Sequence, residues 1–304
     1  MTDLANNPIF NEVHYLAKPF SGLEKVFVSP DSEIKRNQIF NSSIWQFNGD
    51  AAYVPEILGN DVGCGIAIFM TEKIDEKSAA DLTYEYLKSN SCLGRGNHFI
   101  DFCSGIKTGL ASIDSNQNCN IILIHTDGKS IDSSVANSTA EAIKKQETAG
   151  DHRLELGATL LEKIGIKAEF LGDYNHNGVE QNNGKTIYRK GAIKTVPEKI
   201  HILPASLGRP IWVYTLGADS PFKHMPHGTG RVAPTGETKV SVEKVKELRK
   251  EVYIPHQISD ASIRAEHPDC YCDFKKMLSY NTSYSGTDLI SLGEIKILSY
   301  VGRV

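Results

Sequence analysis

No apolar run in this chain approaches the length needed to cross a bilayer. The opening residues, MTDLANNPIFNEV, hold neither a basic start nor an apolar stretch. Neither a secretory leader nor a membrane partner is therefore expected, and the reading is a cytoplasmic protein. Cysteine is sparse, with six in 304 residues, too few for a disulfide scaffold. Reduced thiols follow from that reading, which leaves Cys64 available as a ligand or nucleophile. There is no C-x-x-C and no H-E-x-x-H, so a structural zinc finger and a metalloprotease are both disfavoured. An excess of positive charge is missing too: 33 basic against 37 acidic residues leave a formal charge of -4. A chain of this balance that grips nucleic acid must do so through a local basic patch. Repeats, low-complexity tracts and obvious linkers are absent.

What is present is alternation of strand-like and helix-like stretches. Runs rich in β-branched and aromatic residues, bounded by Gly, Pro, Asn or Asp, predict strands at 25–29, 65–70, 120–126, 167–171, 199–205, 210–216 and 294–301. Between them, residues 76–90 carry a helical stripe of Ala79, Leu82, Tyr86 and Leu87. A longer helical stretch from Ser133 to Gly165 is expected to break near AGDHR, where Gly150 interrupts it. A third helix, 241–250, opens on Ser241 in capping position and presents a charged, solvated face. The fold class is α+β, in one integrated domain over residues 1–304.

Five short segments place a ligand-type residue beside glycine or at a strand end: GNDVGCG (59–65), LGRGNHFID (93–101), ILIHTDG (122–128), DYNHNG (173–178) and HMPHGTGR (224–231). Each alone reads as an ordinary turn. Together they offer Asp61, Cys64, His98, His125 and His176, a set of oxygen, sulfur and nitrogen donors sufficient for one or two divalent ions. A thiolate can bridge two metals, and a carboxylate suits a hard ion such as Mn²⁺. His227 sits among glycines, and a neutral imidazole nitrogen is a competent nucleophile toward phosphorus. Gly228, Thr229 and Gly230 would let backbone N–H groups approach phosphate, Arg231 could neutralise it, and SLGR from Ser206 offers a second such turn. Cys92, Cys103 and Cys119 read as core fillers, and the thiols of CYC (270–272) point apart if extended. His14, His152, His201, His256 and His267 read as structural.

These blocks resemble the RtcB family of RNA ligases. GNDVGCGIAIF, LGRGNHF, IHTDG, NHN followed by YRKGAI (188–193), ILPASLGRP, HGTGR and IRAEHPDCY (263–271) stand in family order from about residue 58 to 271. The shorter forms coupled to peptide-release factors are the nearest subtype. The resemblance implies a single domain with mixed sheets around a central metal and nucleotide cleft. It implies two Mn²⁺ ions, one held by Asp61, Cys64 and His98, the other sharing Cys64 and held by His125 and His176. It implies GTP as cosubstrate, with Asn97 and Asn177, Asp101, Ser206 and the Gly228–Arg231 turn on the nucleotide and His227 as the guanylylated residue. The partner would be RNA bearing a 3′-phosphate or 2′,3′-cyclic phosphate and a 5′-hydroxyl, held in part by Arg189 and Lys190 with Lys185 and Lys194; an activating protein partner is also compatible. Several features depart from the family pattern, among them PDSE (30–33), with Glu33 where a histidine is usual, and the following stretch, which lacks the usual glycines. HTDGKS carries Asp127 where a phosphate turn avoids a carboxylate, Asp101 replaces the usual glutamate, and Arg303 stands in for a terminal lysine. HTDGKS and the missing lysine favour, as an alternative, a metal-dependent RNA-end phosphodiesterase or phosphatase; a non-catalytic RNA- or nucleotide-binding relative is the third reading.

Overall fold

A computed structural model describes residues 20–29, 39–90, 93–94, 97–105, 119–220, 223–285 and 288–302. Cys92, His14 and Arg303 lie outside the described residues.

The α+β expectation holds: helices and several sheets share one chain. The central sheet has five strands in the spatial order β14–β4–β5–β3–β6, spanning Ile297–Gly302, Phe99–Ser104, Cys119–Thr126, Gly65–Glu72 and Ala168–Asn175. All its pairings are antiparallel. β3 and β5 are apolar almost without interruption because both of their faces are buried, so neither shows the alternation of a half-exposed strand. After the short helix α1 (Pro55–Leu58), helix α2 (Glu76–Asn90) packs near β14, and helix α3 (Thr139–Lys163) lies across β3, β5 and β6. A second sheet, β1–β2–β8–β7, runs through Leu23–Val28, Ser43–Asn48, Lys185–Lys190 and Asn177–Asn182. It closes over a core around Trp45, Phe47 and Tyr188. The remaining strands, β9 (Ala192–Lys194), β10 (His201–Pro204), β11 (Ile211–Leu216), β12 (His224–Pro226) and β13 (Leu289–Ile295), form two small sheets beside the central one.

Three expectations are corrected. The helix predicted to break at Gly150 runs unbroken through it, from an N-cap at Ser138 whose side chain accepts from Glu141 N–H. A Cβ there would lie 3.0 Å from the Asp173 carboxylate on β6, so the glycine eases the close approach of the helix to the sheet. Interior glycine costs a helix about 1 kcal/mol, and the sheet contact outweighs that. In α2 the buried face is Ala79, Ala80, Thr83 and Leu87, while Leu82 is exposed. The strand expected over 294–301 is two, β13 and β14, which turn at Lys296 into different sheets. As expected, the helix beginning after Ser241, α4 (Val242–Glu251), is capped by that serine and buries only Val245 and Leu248.

Candidate metal centre and cleft

The antiparallel order of the central sheet brings one end of four strands together. Gly65 at the start of β3 pairs with Thr126 at the end of β5 and with Asn175 at the end of β6. Phe99 at the start of β4 pairs with His125. Cys64, His98, His125 and His176, each at or beside one of those ends, therefore converge. Cys64 Sγ lies 3.5 Å from His125 Nε2 and 3.7 Å from His98 Nε2, and the Nε2 atoms of His125 and His176 are 3.2 Å apart. Among the described residues, Cys64, His125 and His176 form a buried group whose ligand atoms all lie within 4.8 Å of one another.

The main chain around the group is held as firmly as the side chains. Cys64 carbonyl accepts His176 N–H at 2.8 Å, and His176 carbonyl accepts Ala192 N–H at 3.0 Å. Gly191 carbonyl then accepts both the N–H of His227 at 3.1 Å and its ring Nδ1–H at 2.8 Å. That bond fixes the tautomer with the lone pair on Nε2. The His227 ring stacks on His176 with centroids 4.1 Å apart. Gly191 sits at φ +64°, and a Cβ there would meet Ser42 N at 2.8 Å. The RKGAI segment thus needs its glycine for backbone reasons alone.

Burial dominates the protonation of these groups. It pushes the Cys64 thiol well above its usual range, assisted by the Asp61 charge. It pushes His125 and His176 well below theirs, reinforced by neighbouring imidazoles. His98 is lowered for the same reason, with Asp127 and Asp61 acting against the shift. Buried imidazoles held neutral keep a nitrogen lone pair, and with the Cys64 sulfur beside them they make a donor set that could hold a cation. Two nitrogens and one sulfur would supply three of the four positions of a tetrahedral ion.

Asp61 stands outside that group. Its Oδ1 accepts from the N–H of Gly128 at 3.0 Å and of Lys129 at 3.4 Å, holding the turn after β5. Asp127 is buried and caps the same turn, taking Ser130 N–H at 3.1 Å and its hydroxyl at 2.9 Å. Asn177 donates from Nδ2 to the carbonyls of Leu58 and Asp61, so its amide nitrogen holds the loop ahead of β3.

Beside this Cys–His group lies a cleft of about 610 Å³, its open mouth included. Asn97, Asp101, His125, Ser206, His227, Gly228 and Thr229 line it. Asp101, on β4, is 3% exposed, its Oδ1 has no hydrogen-bond partner, and burial raises its pKa well above the ordinary carboxylate range. Glu266, Tyr271, Phe99 and Tyr300 complete the wall. Gly230 and Arg231 are not in the lining. Arg231 turns instead to Glu266 at 3.2 Å, to Tyr271 hydroxyl at 2.7 Å and to Ala265 carbonyl at 2.6 Å.

The expected basic surface takes a different form. Arg189 on β8 is 5% exposed and donates to Asn175 Oδ1 at the end of β6 at 3.0 Å, so it points into the interior rather than to a surface. Lys190 Nζ donates to Leu58 carbonyl at 3.0 Å, Lys194 pairs with Glu180, and Lys185 pairs with Glu24.

One residue escaped the sequence reading. Arg153, on α3, is fully buried. It grips Asp173 through Nε at 2.6 Å and one terminal nitrogen at 2.7 Å. Its other terminal nitrogen reaches Gly63 carbonyl at 2.6 Å and Thr126 Oγ1 at 3.5 Å. The signal was there: Arg153 falls on the same helical stripe as Ala149, Leu156 and Leu160, a lone charge on an apolar face. No family model matches the chain, and no curated protein matches it.

Proposed function

We propose a metal-dependent enzyme of RNA ends. Its particular activity would be RNA ligation of the RtcB kind, joining a 3′-phosphate or 2′,3′-cyclic phosphate end to a 5′-hydroxyl in a cytoplasmic repair or splicing role. The observation that carries this reading is His227. Its Nδ1–H is held by Gly191 carbonyl, its ring is stacked on His176 of the metal group, and its side chain faces the cleft.

In this reading water first opens a cyclic phosphate to a 3′-phosphate. His227 Nε2 attacks the α-phosphorus of GTP and pyrophosphate leaves. The RNA 3′-phosphate then takes GMP from His227, and the 5′-hydroxyl attacks that activated phosphate, expelling GMP. Cys64, His125 and His176, with His98 and Asp61, would hold two Mn²⁺ ions that neutralise the charge developing on phosphate oxygens. Asn97, Ser206 and the Gly228–Thr229 turn line the space the nucleotide would take, with Asp101 at its wall. Incubation with radiolabelled GTP and Mn²⁺ should label the wild type covalently and leave His227→Ala unlabelled. An unlabelled wild type overturns ligation.

One observation favours a second reading. The N–H groups of Gly128 and Lys129, which a phosphate turn would offer to a nucleotide, already donate to Asp61. A phosphodiesterase or phosphatase acting on RNA ends would keep the metal group without GTP. Digestion of a cyclic-phosphate oligonucleotide in the absence of GTP then separates the two: free 3′-phosphate or 3′-hydroxyl without joined product belongs to the hydrolase.

A further inference from the structure

The metal donors come from separate chain segments, and nothing in antiparallel pairing alone fixes their spacing to the tolerance a metal demands. The geometry points to Arg153 as a positioning residue for that centre, setting the distances between the Cys64, His125 and His176 segments from the far side of the sheet. This rests on the reading of those residues as metal ligands.

Each group that Arg153 touches is a near neighbour of a donor. Gly63, whose carbonyl it takes at 2.6 Å, precedes Cys64. Thr126, whose hydroxyl it reaches at 3.5 Å, follows His125. Asp173, which it grips through two nitrogens, lies three residues before His176 on β6. A guanidinium is planar and rigid, so one side chain ties three segments with fixed angles between them. The surroundings are built for this reach. Gly65 allows it, since a Cβ there would lie 2.9 Å from an Arg153 terminal nitrogen and 2.7 Å from Tyr174 carbonyl. Gly150 allows the helix to approach, since a Cβ there would crowd the Asp173 carboxylate. Gly63, at φ +89°, lies so close to α3 that a Cβ would meet Ala149 at 2.6 Å. Three glycines, two at the entry to β3 and one on α3, thus clear room around this one contact. Arg153 itself touches no donor atom, so its effect on the metal passes through the backbone.

A lysine has one point of attachment where arginine has three directions. Arg153→Lys retains a cation for Asp173 and cannot also span to Gly63. The paired change Arg153→Met with Asp173→Asn removes both charges together and leaves neither buried alone. Co²⁺ is the probe, because its thiolate charge-transfer and ligand-field bands report both affinity and geometry without any turnover. Wild type should bind Co²⁺ with a thiolate band. Arg153→Lys, and the paired variant, should bind at least about tenfold more weakly with an altered ligand-field spectrum, the range seen when partners outside the ligand set are lost. Circular dichroism in the far ultraviolet should stay unchanged. Folded variants with wild-type affinity and spectrum overturn the positioning role and leave the metal reading standing. Wild type that binds no Co²⁺ overturns both. If the paired variant fails to fold, Arg153→Lys alone decides: a wild-type spectrum and affinity there overturn the role, and weakened, altered binding upholds it.

Discussion

Cys64 has two imidazole nitrogens within 3.7 Å, and its burial favours the thiol. A cation entering the group must therefore displace the thiol proton. Wild type should release about one proton per bound Zn²⁺ or Co²⁺ near neutral pH, and affinity should climb about tenfold per pH unit until the thiol is ionised. Calorimetry in buffers of different ionisation enthalpy measures this. Cys64→Ser should release none and bind at least about a hundredfold more weakly, more than is lost with an outer partner. Unchanged proton release in the variant would show the thiol to be a packed core residue. The histidine at the end of β5 could be picked out from its strand-end place. Its contact with the imidazole fifty-one residues on could not, because that depends on the register Gly65↔Thr126 and Gly65↔Asn175.

Among the elements, α3 shows where propensity and packing part. It carries Gly150 and Gly157 and still runs its full length. At Gly157 a Cβ would meet the Phe69 ring at 2.4 Å, so the helix rests on β3 there. Gly157→Ala improves intrinsic helix propensity by about 1 kcal/mol, but the overpacking opposes it with roughly 1–3 kcal/mol. The net result should be a lower melting temperature, read by thermal unfolding; a stabilised variant would refute the close contact. A local reading treats such glycines as breaks because it sees only the helix. The opposite error arises in α2, where Leu82 looks like core and is exposed. The buried face is instead that of Ala79, Ala80, Thr83 and Leu87, so the register of the helix on its neighbours, and not the hydrophobicity of Leu82, decides which side is covered.

For the whole molecule, acid should be the main solvent lever on stability. His224 on β12 is held down to about 4, first by burial and then by Arg189. Between its ordinary value near 6.5 and that value, the unfolded chain binds a proton that the folded chain refuses, so stability falls as pH falls. His224 alone contributes on the order of 3 kcal/mol over that interval. His125, His176, His98 and His201 are lowered too and act in the same direction. Asp101, raised by burial, acts oppositely and regains stability as it protonates. Urea unfolding of metal-free protein should show stability dropping steadily from pH 7 to pH 5; a flat profile would refute buried neutral histidines.

Residue chemistry and local patterning were enough to establish the α+β class and most of the central strands, and to single out Cys64, His125 and His176 as candidate donors, because each lies at a strand end or turn that its own neighbours mark. Which donors meet is a matter of sheet order, and so is the turning of Arg189 inward and of Arg231 toward Glu266. Asp61 shows the division most plainly. Its place three residues before Cys64 is written in the chain, yet its carboxylate closes the turn after β5, because the antiparallel β3–β5 pairing brings Gly128 beside it. Arg153 lies ninety residues from Gly63, and only the packing of α3 across three strands could bring them within 2.6 Å.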